Sequence, residues 1–327
     1  MMNKRLKQGT TFLLALALAF PLLTLPGARA ANAIDTDRKC SVAFNVSGEG
    51  NELTTTDIQV NLYKVADVDV SGNYTATKDF TGLDVSSVSA DDKDTAASKW
   101  ADRAKEAQEM LTKSVKKTAT VTLKAGTGSL ADLATGLYLV DTPEVVTTNY
   151  TYTFTPYLVS LPTNNYYSNG NDNWIYDLTA TNAIGLKHEE HARYGDLIIN
   201  KRLKNHNATT GKKATFVFQI EINKTETRIE SLDFEAAGDS SVTITKIPAG
   251  AKVKVTEVYS GASYKLTSAN DQTATIVATD RGSTNTPASV SFTNDVDDNM
   301  NGGYGVRNNF KLDENGQYQY TEPAAKN

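Results

Sequence analysis

One cysteine, Cys40, stands in 327 residues, so no intramolecular disulfide can form and any covalent reinforcement must be of another kind. Cys40 follows Asp37-Arg38-Lys39, not the small apolar context that a lipid-carrying cysteine needs, and reads as a buried, inert thiol. Histidine is nearly absent too. His188, His191 and His206 form no nucleophile and base pair, and no Gly-rich phosphate loop follows a strand, so turnover catalysis has no support and no cofactor is called for. The segment His188-Glu189-Glu190-His191 lacks the spacing of the helical zinc motif and a third ligand, so no metal is expected there. Nor is there a basic stripe: 33 Lys and Arg stand against 38 Asp and Glu, for a net charge of −5, which argues against nucleic acid or an anionic membrane as partner.

Long apolar runs are missing except at the start. The basic stretch MMNKRLKQ leads into TTFLLALALAFPLLTLPG, which is too short and too interrupted by proline to span a bilayer well. Small residues at Ala28-Arg29-Ala30 supply a cleavage pattern, with Ala31-Asn32-Ala33 as a second site. Residues 1–30 are therefore read as a secretory signal peptide, and the mature protein as secreted to the extracellular side or cell surface. Cleavage removes Lys4, Arg5, Lys7 and Arg29 and no acid, leaving a still more acidic chain.

What is present is β-pattern. SVAFNV, IQVNLYKV and NYTATKDF alternate between apolar and polar residues and are separated by Gly, Asn and Asp. Residues 90–114 break this period: Trp100, Ala104, Ala107 and Leu111 recur at helical spacing, which places one amphipathic helix there, expected on a sheet edge. Strands resume with TATVTLK, GLYLVDT, YTYTFTPYLVSLP and WIYDLTATNA. A polar linker is expected around 185–194. From Gly195 a second set follows, DLIINKRL, ATFVFQIEI, SVTITKI, AKVKVTEVY, TATIVAT and ASVSFTN, spaced for a sandwich. The expectation is all-β: two tandem immunoglobulin-like β-sandwich domains, 34–185 and 195–296, the first with the inserted helix. Residues 297–327 make a polar C-terminal extension whose composition cannot build a core.

Three residues of the second domain carry chemistry. Lys201 lies in its first strand, Asn294 ends its last, and Glu257 sits in a strand between them. First and last strands of a sandwich are commonly neighbours, and period-two alternation allows all three side chains to face inward. An amine attacks a carboxamide only when neutral, and burial among apolar groups penalises the ammonium. The same burial favours a protonated carboxylic acid. Lys201 could then attack the Asn294 carbonyl while Glu257 polarises it and relays protons, expelling ammonia and leaving a Lys–Asn isopeptide bond formed once.

The second half resembles the Cna B-type domains of Gram-positive pilins and surface adhesins. The resemblance is carried by Gly195-Asp196-Leu197-Ile198-Ile199-Asn200-Lys201, Phe216-Val217-Phe218, Ile247-Pro248-Ala249-Gly250 leading into Val255-Thr256-Glu257, and Phe292-Thr293-Asn294. The first half resembles the N-terminal domain of the same pilin-like proteins through Leu62-Tyr63-Lys64-Val65, Leu133-Ala134-Thr135-Gly136-Leu137-Tyr138, Phe154-Thr155-Pro156-Tyr157-Leu158 and Trp174-Ile175-Tyr176-Asp177. It implies a structural, pilus-type subunit stabilised by an intramolecular isopeptide bond, with other pilin subunits, joined by sortase, as partners. The alternative is an adhesin-type binding module that recognises a host protein or glycan.

Two departures qualify the resemblance. Where backbone pilins carry an intermolecular Pro-Lys pair, this chain has Asn182 and Ala183, with Lys187 the nearest substitute. No LPxTG-like pentapeptide or apolar span follows residue 294, so the expectation is a chain truncated before its sorting signal or one not polymerised and wall-anchored in the usual way. The resemblance also suggests a second crosslink in the first domain, with Asp141 in the glutamate's place, Asn182 as the amide, and Lys39 or Lys64 as the amine. Finally, Asp297, Asn299, Asn301 and Gly302 match half of a calcium loop, but Asn308 stands where a bidentate Glu belongs, which favours a turn.

Overall fold

The computed structural model describes residues 23–24, 33–46, 52–86, 88–89, 93–165, 171–179, 183–207, 213–261, 263–280, 282–297, 309–312 and 318–321. The chain divides into two compact units, Met1–His191 and Ala192–Asn327. Both are all-β, and Lys93–Glu109 is the one α-helix among the described residues. Most of residues 1–30, expected as a signal peptide, and of residues 297–327 falls outside the described residues.

The main elements of the first unit are β1 (Cys40–Asn45), β2 (Ile58–Val68), β3 (Tyr74–Ala76), α1 (Lys93–Glu109), β4 (Ala119–Leu123), β5 (Thr127–Leu133), β6 (Gly136–Asp141), β7 (Val145–Val146), β8 (Tyr150–Phe154), β9 (Tyr157–Leu161), β10 (Asp177–Leu178), β11 (Ile184–Gly185) and β12 (His188–Ala192), the last running one residue past the boundary. One antiparallel sheet orders β9, β6 and β2, with β3 and β4 sharing the far edge of β2. The facing sheet centres on β1, which pairs antiparallel with β5 and parallel with β10 and β11. Val42 and Phe44 from one sheet and Leu62, Tyr138, Val140 and Val159 from the other close the core.

Helix α1 lies on the outer face of the larger sheet, not on its edge. Trp100, Ala104 and Ala107 pack on Tyr63, Val65, Leu137, Leu139 and Leu158. That placement explains why β6 is a continuous apolar run: its residues are buried on both faces, as in a strand covered on both sides. Arg103 fastens the helix, lying 4.6 Å from the Trp100 ring centroid, donating to the Ser86 carbonyl at 2.7 Å and pairing with Asp84.

The stretch expected as a linker is largely strand. β11 pairs with β1 and β12 with β8, and the Leu186 amide donates to the Asn45 carbonyl at 2.8 Å. Its polar composition reflects exposure along β12, whose residues are mostly open to solvent; a strand needs apolar side chains only where a face is covered.

The second unit is a sandwich of β13 (Tyr194–Leu203), β14 (Ala214–Ile222), β15 (Glu226–Phe234), β16 (Gly238–Pro248), β17 (Lys252–Tyr259), β18 (Tyr264–Leu266), β19 (Asp271–Thr275) and β20 (Ala288–Val296). One sheet runs in the order β16, β13, β20, β18 and the other β15, β14, β17, β19. The first strand and the last are thus direct neighbours, and they pair in parallel. Leu197, Ile199, Phe216, Phe218, Val255, Val290 and Phe292 fill the space between the sheets. At the start of β13 the chain passes so close to the 276–280 segment that a Cβ on Gly195 would fall 1.8 Å from the Val277 carbonyl oxygen, so no larger residue fits. There the Arg193 guanidinium grips Asp280, with Nη2 to Oδ1 at 2.8 Å and Nε to Oδ1 at 3.1 Å.

Candidate functional site

Period-two alternation places three polar side chains at core positions of the second unit. On β13 the inward residues are Leu197, Ile199, Lys201 and Leu203; on β17 they are Val253, Val255 and Glu257; on β20, Val290, Phe292 and Asn294. Each polar residue therefore continues an apolar row. All three are buried, and the Lys201 and Glu257 side chains have no solvent exposure at all.

The three side chains touch. Lys201 Nζ donates to Glu257 Oε2 and to Asn294 Oδ1. Asn294 Nδ2 donates to Glu257 Oε1 at 2.6 Å. The carboxyl group thus bridges the amine and the amide nitrogen, one oxygen to each. The sequence expectation put Glu257 on the Asn294 carbonyl; it sits instead on the amide nitrogen, because β17 approaches from the opposite sheet while Lys201, on the neighbouring strand, occupies the carbonyl side. Aromatic rings complete the enclosure: Nζ is 4.2 Å from the Phe216 centroid and 5.6 Å from that of Phe218, which packs on Phe292 at 5.2 Å.

Burial sets the electrostatics. Removing Lys201 from water holds its ammonium below the ordinary lysine range, with Glu257 partly offsetting the effect through its charge and hydrogen bond. The backbone around Asn294 is fixed on both sides, with Lys204 N donating to the Asn294 carbonyl at 2.9 Å and Thr267 N to the Thr293 carbonyl at 2.8 Å.

A family model matches here. It is described as "Domain of unknown function (DUF5979)" and covers residues 197–297, the stretch that holds all three residues. No curated protein matches the chain. Among solved structures the chain is similar to the Bacillus anthracis TIE protein, with 14% identity and TM-score 0.32 over 79% of this chain, which spans 34% of that longer one. It is similar to GBS52, the minor pilin of Streptococcus agalactiae, with 12% identity and TM-score 0.24 over 79% of this chain and 96% of that one. It is also similar to the major pilin SpaA of Corynebacterium diphtheriae, with 15% identity and TM-score 0.29 over 66% of this chain and 62% of that one.

The other candidate residues are not brought together. Asp141, at the end of β6, accepts from Gln108 Nε2 of α1 at 2.6 Å. Lys64 pairs with Asp67 at 2.5 Å, and Lys39 is exposed just before β1. Asn182 lies outside the described residues, while Lys187 is exposed between β11 and β12. His191 Nε2 is 3.2 Å from Thr153 Oγ1, and the His188 ring packs edge-on against Tyr152 at 5.6 Å. Among the described residues no three His, Cys, Asp or Glu side chains are placed to hold a metal. Of the calcium-like loop, only Asp297 is described, its amide donating to the Ser263 carbonyl at 2.8 Å; Asn299, Asn301, Gly302 and Asn308 lie outside the described residues.

Phe216 and Phe218 entered the sequence reading as part of the family resemblance but with no role at the site, since inward parity on β14 is a signal every core residue shares. Tyr264 gave no signal, because its strand has three residues.

Proposed function

We propose that this chain is a structural surface subunit of pilus type whose second unit ties its first strand to its last through a Lys201–Asn294 isopeptide bond. The observation that carries this reading is the contact of Lys201, Glu257 and Asn294 inside an apolar core that holds no other charged side chain among the described residues of that cluster.

The chemistry balances within the three groups. Proton transfer across the Lys201–Glu257 contact gives a neutral amine and a neutral acid. Nζ adds to Asn294 Cγ; the new C–N bond forms, the Cγ–Nδ2 bond breaks, and one Nζ proton leaves with Nδ2 as ammonia. Glu257 takes a proton at Oε2, beside the nucleophile, and delivers one at Oε1, beside the leaving nitrogen, and so ends unchanged. A buried ion pair costs several kcal/mol of lost hydration per ion, so replacing it by a neutral amide and a neutral acid removes a burden from the core. Closing the 93-residue separation adds about 4 to 5 kcal/mol by the loop-entropy argument used for disulfides.

The reaction happens once per molecule, so the protein is a self-modifying structural element and no turnover enzyme. Its basic, then apolar N-terminal stretch with a small-residue cleavage pattern accords with display outside the cell. Assembly with further pilin subunits belongs to this proposal, as does the role of Lys187 as an exposed amine. The test is chemical: the mature protein should weigh about 17 Da less than its sequence. Tryptic mapping should recover Lys201 and Asn294 in one branched peptide, and two separate linear peptides would overturn the reading.

A further inference from the structure

The crosslink chemistry leaves one question open on its own terms: an amide activated by a carboxyl group is open to water as well as to an amine. Attack by water at Asn294 Cγ would break the same Cγ–Nδ2 bond and release the same ammonia, but would leave an aspartate in place of a crosslink. Something must reserve Asn294 for Lys201.

The end of the core nearest Asn294 is closed by β18. Leu266 lies beside Asn294 in register and Tyr264 beside Val296, so both project to the inner face next to the amide. Tyr264 is buried, and its ring meets Phe216 at 5.6 Å in an edge-to-face contact; Phe216 is the ring that lies under Lys201 Nζ. Its hydroxyl is held by the Asn207 amide at 3.0 Å, on the chain leaving β13. The approach to β18 is shaped around this ring, since Gly261 has φ +79° and a Cβ there would meet Tyr264 Cδ2 at 3.0 Å. The strand is also tied by Asp297 N to the Ser263 carbonyl at 2.8 Å.

We propose that Tyr264 is a positioning and specificity-determining residue that seals the lower end of the core, so that Asn294 reacts with Lys201 and not with water. The inference rests on the crosslinking reading above. Tyr264 touches neither reacting atom; it acts through Phe216 and by excluding solvent. Glu257 is the ionisable group in contact with Nζ, and Asn294, Phe216 and Phe218 are its other neighbours.

The test compares full-length mature protein as wild type, Tyr264→Phe, Tyr264→Leu and Tyr264→Ala, taking the folded fraction from gel filtration and reading intact mass and peptide maps. Tyr264→Phe keeps the ring and should keep the full loss of about 17 Da. Tyr264→Ala should accumulate a species about 1 Da heavier than the sequence mass, with aspartate at position 294, at the expense of the crosslinked form. Tyr264→Leu should show the same species in smaller amount, and it decides the matter if the alanine variant does not fold. Folded leucine or alanine variants that crosslink as completely as wild type overturn the proposal, and so does a folded variant that remains at the sequence mass, because water then gained nothing. A wild type that shows no mass loss would instead sink the crosslinking reading itself, which keeps the two failures apart.

Discussion

Lys201 and Asn294 lie on adjacent parallel strands two residues out of step: Lys201 stands opposite Phe292, and Asn294 opposite Leu203. Two residues of strand are about 6.6 Å, which with an inter-strand spacing of about 4.8 Å makes a diagonal of about 8 Å that the four-carbon lysine stem helps to cover and a shorter amine would not. Glu257 comes from the facing sheet, where it pairs with Phe218, so the carboxyl reaches the amine and amide from across the core. The stagger, the parallel pairing and the facing acid together make the contact.

Lys201→Met, which keeps the bulk of the stem and removes the nucleophile, should leave the mass at its sequence value. Unfolding free energy should fall by about 4 to 5 kcal/mol, the contribution of the closed loop. Glu257→Gln keeps the shape but has no acidic proton to relay, and it too should stay at the sequence mass. Denaturant titration and intact mass on the same samples check both; a Glu257→Gln protein that still loses ammonia would remove Glu257 from its assigned role.

Force should follow the bond. β13 is the first strand of the sandwich and β20 its last, so a load applied to the two ends of the sandwich passes along β13 to Lys201 and across to Asn294. The segment between them, a sequence separation of 93, carries none of it. Single-molecule pulling should show no extension step from this unit in wild type and a step of about 300 Å in Lys201→Met, the length of the released segment at full extension. A step of that size in wild type would contradict the crosslink.

Much of this was legible from residue order, for a physical reason. A lysine, a glutamate and an asparagine that continue apolar period-two rows must either flip a strand or be buried, and the rows in β13, β17 and β20 left only burial. Pairing of first with last strand followed from sandwich topology. What the residues could not tell was partner choice across a sheet. GLYLVDT reads simply as a strand, and only the fold shows that α1 covers the second face of β6. His188–Ala192 reads as a linker because an exposed strand needs no apolar alternation. Tyr264 sits in a three-residue strand, too short to show any period.

The Arg193–Asp280 pair offers a pH test. The hydrogen bonds and positive charge of Arg193 hold the Asp280 carboxyl below its usual range. A depressed folded-state value means the contribution is present above the unfolded carboxylate pKa of about 3.9 and is lost as pH falls through the lower folded value. Its size should be about 1 kcal/mol for a partly exposed, two-pronged pair. Stability of wild type minus Asp280→Asn, by urea titration, should be flat above about pH 5 and shrink below about pH 4. A difference that grew on acidification would contradict the assignment.

Cys40 is fully buried in β1, and burial pushes its thiol up to about 11. Since the thiolate is the reactive form, a thiol reagent at neutral pH should label the native protein hardly at all and the denatured protein fully. Rapid native labelling would mean that the first unit opens around β1.

Intact mass spectrometry of the purified protein tests the central claim most directly, with the actual N-terminus fixed from the N-terminal peptide. One Lys201–Asn294 bond gives a mass about 17 Da below that of the sequence, retained after denaturation and reduction. A mass equal to the sequence value would contradict the crosslink and leave the three residues as an unreacted buried cluster.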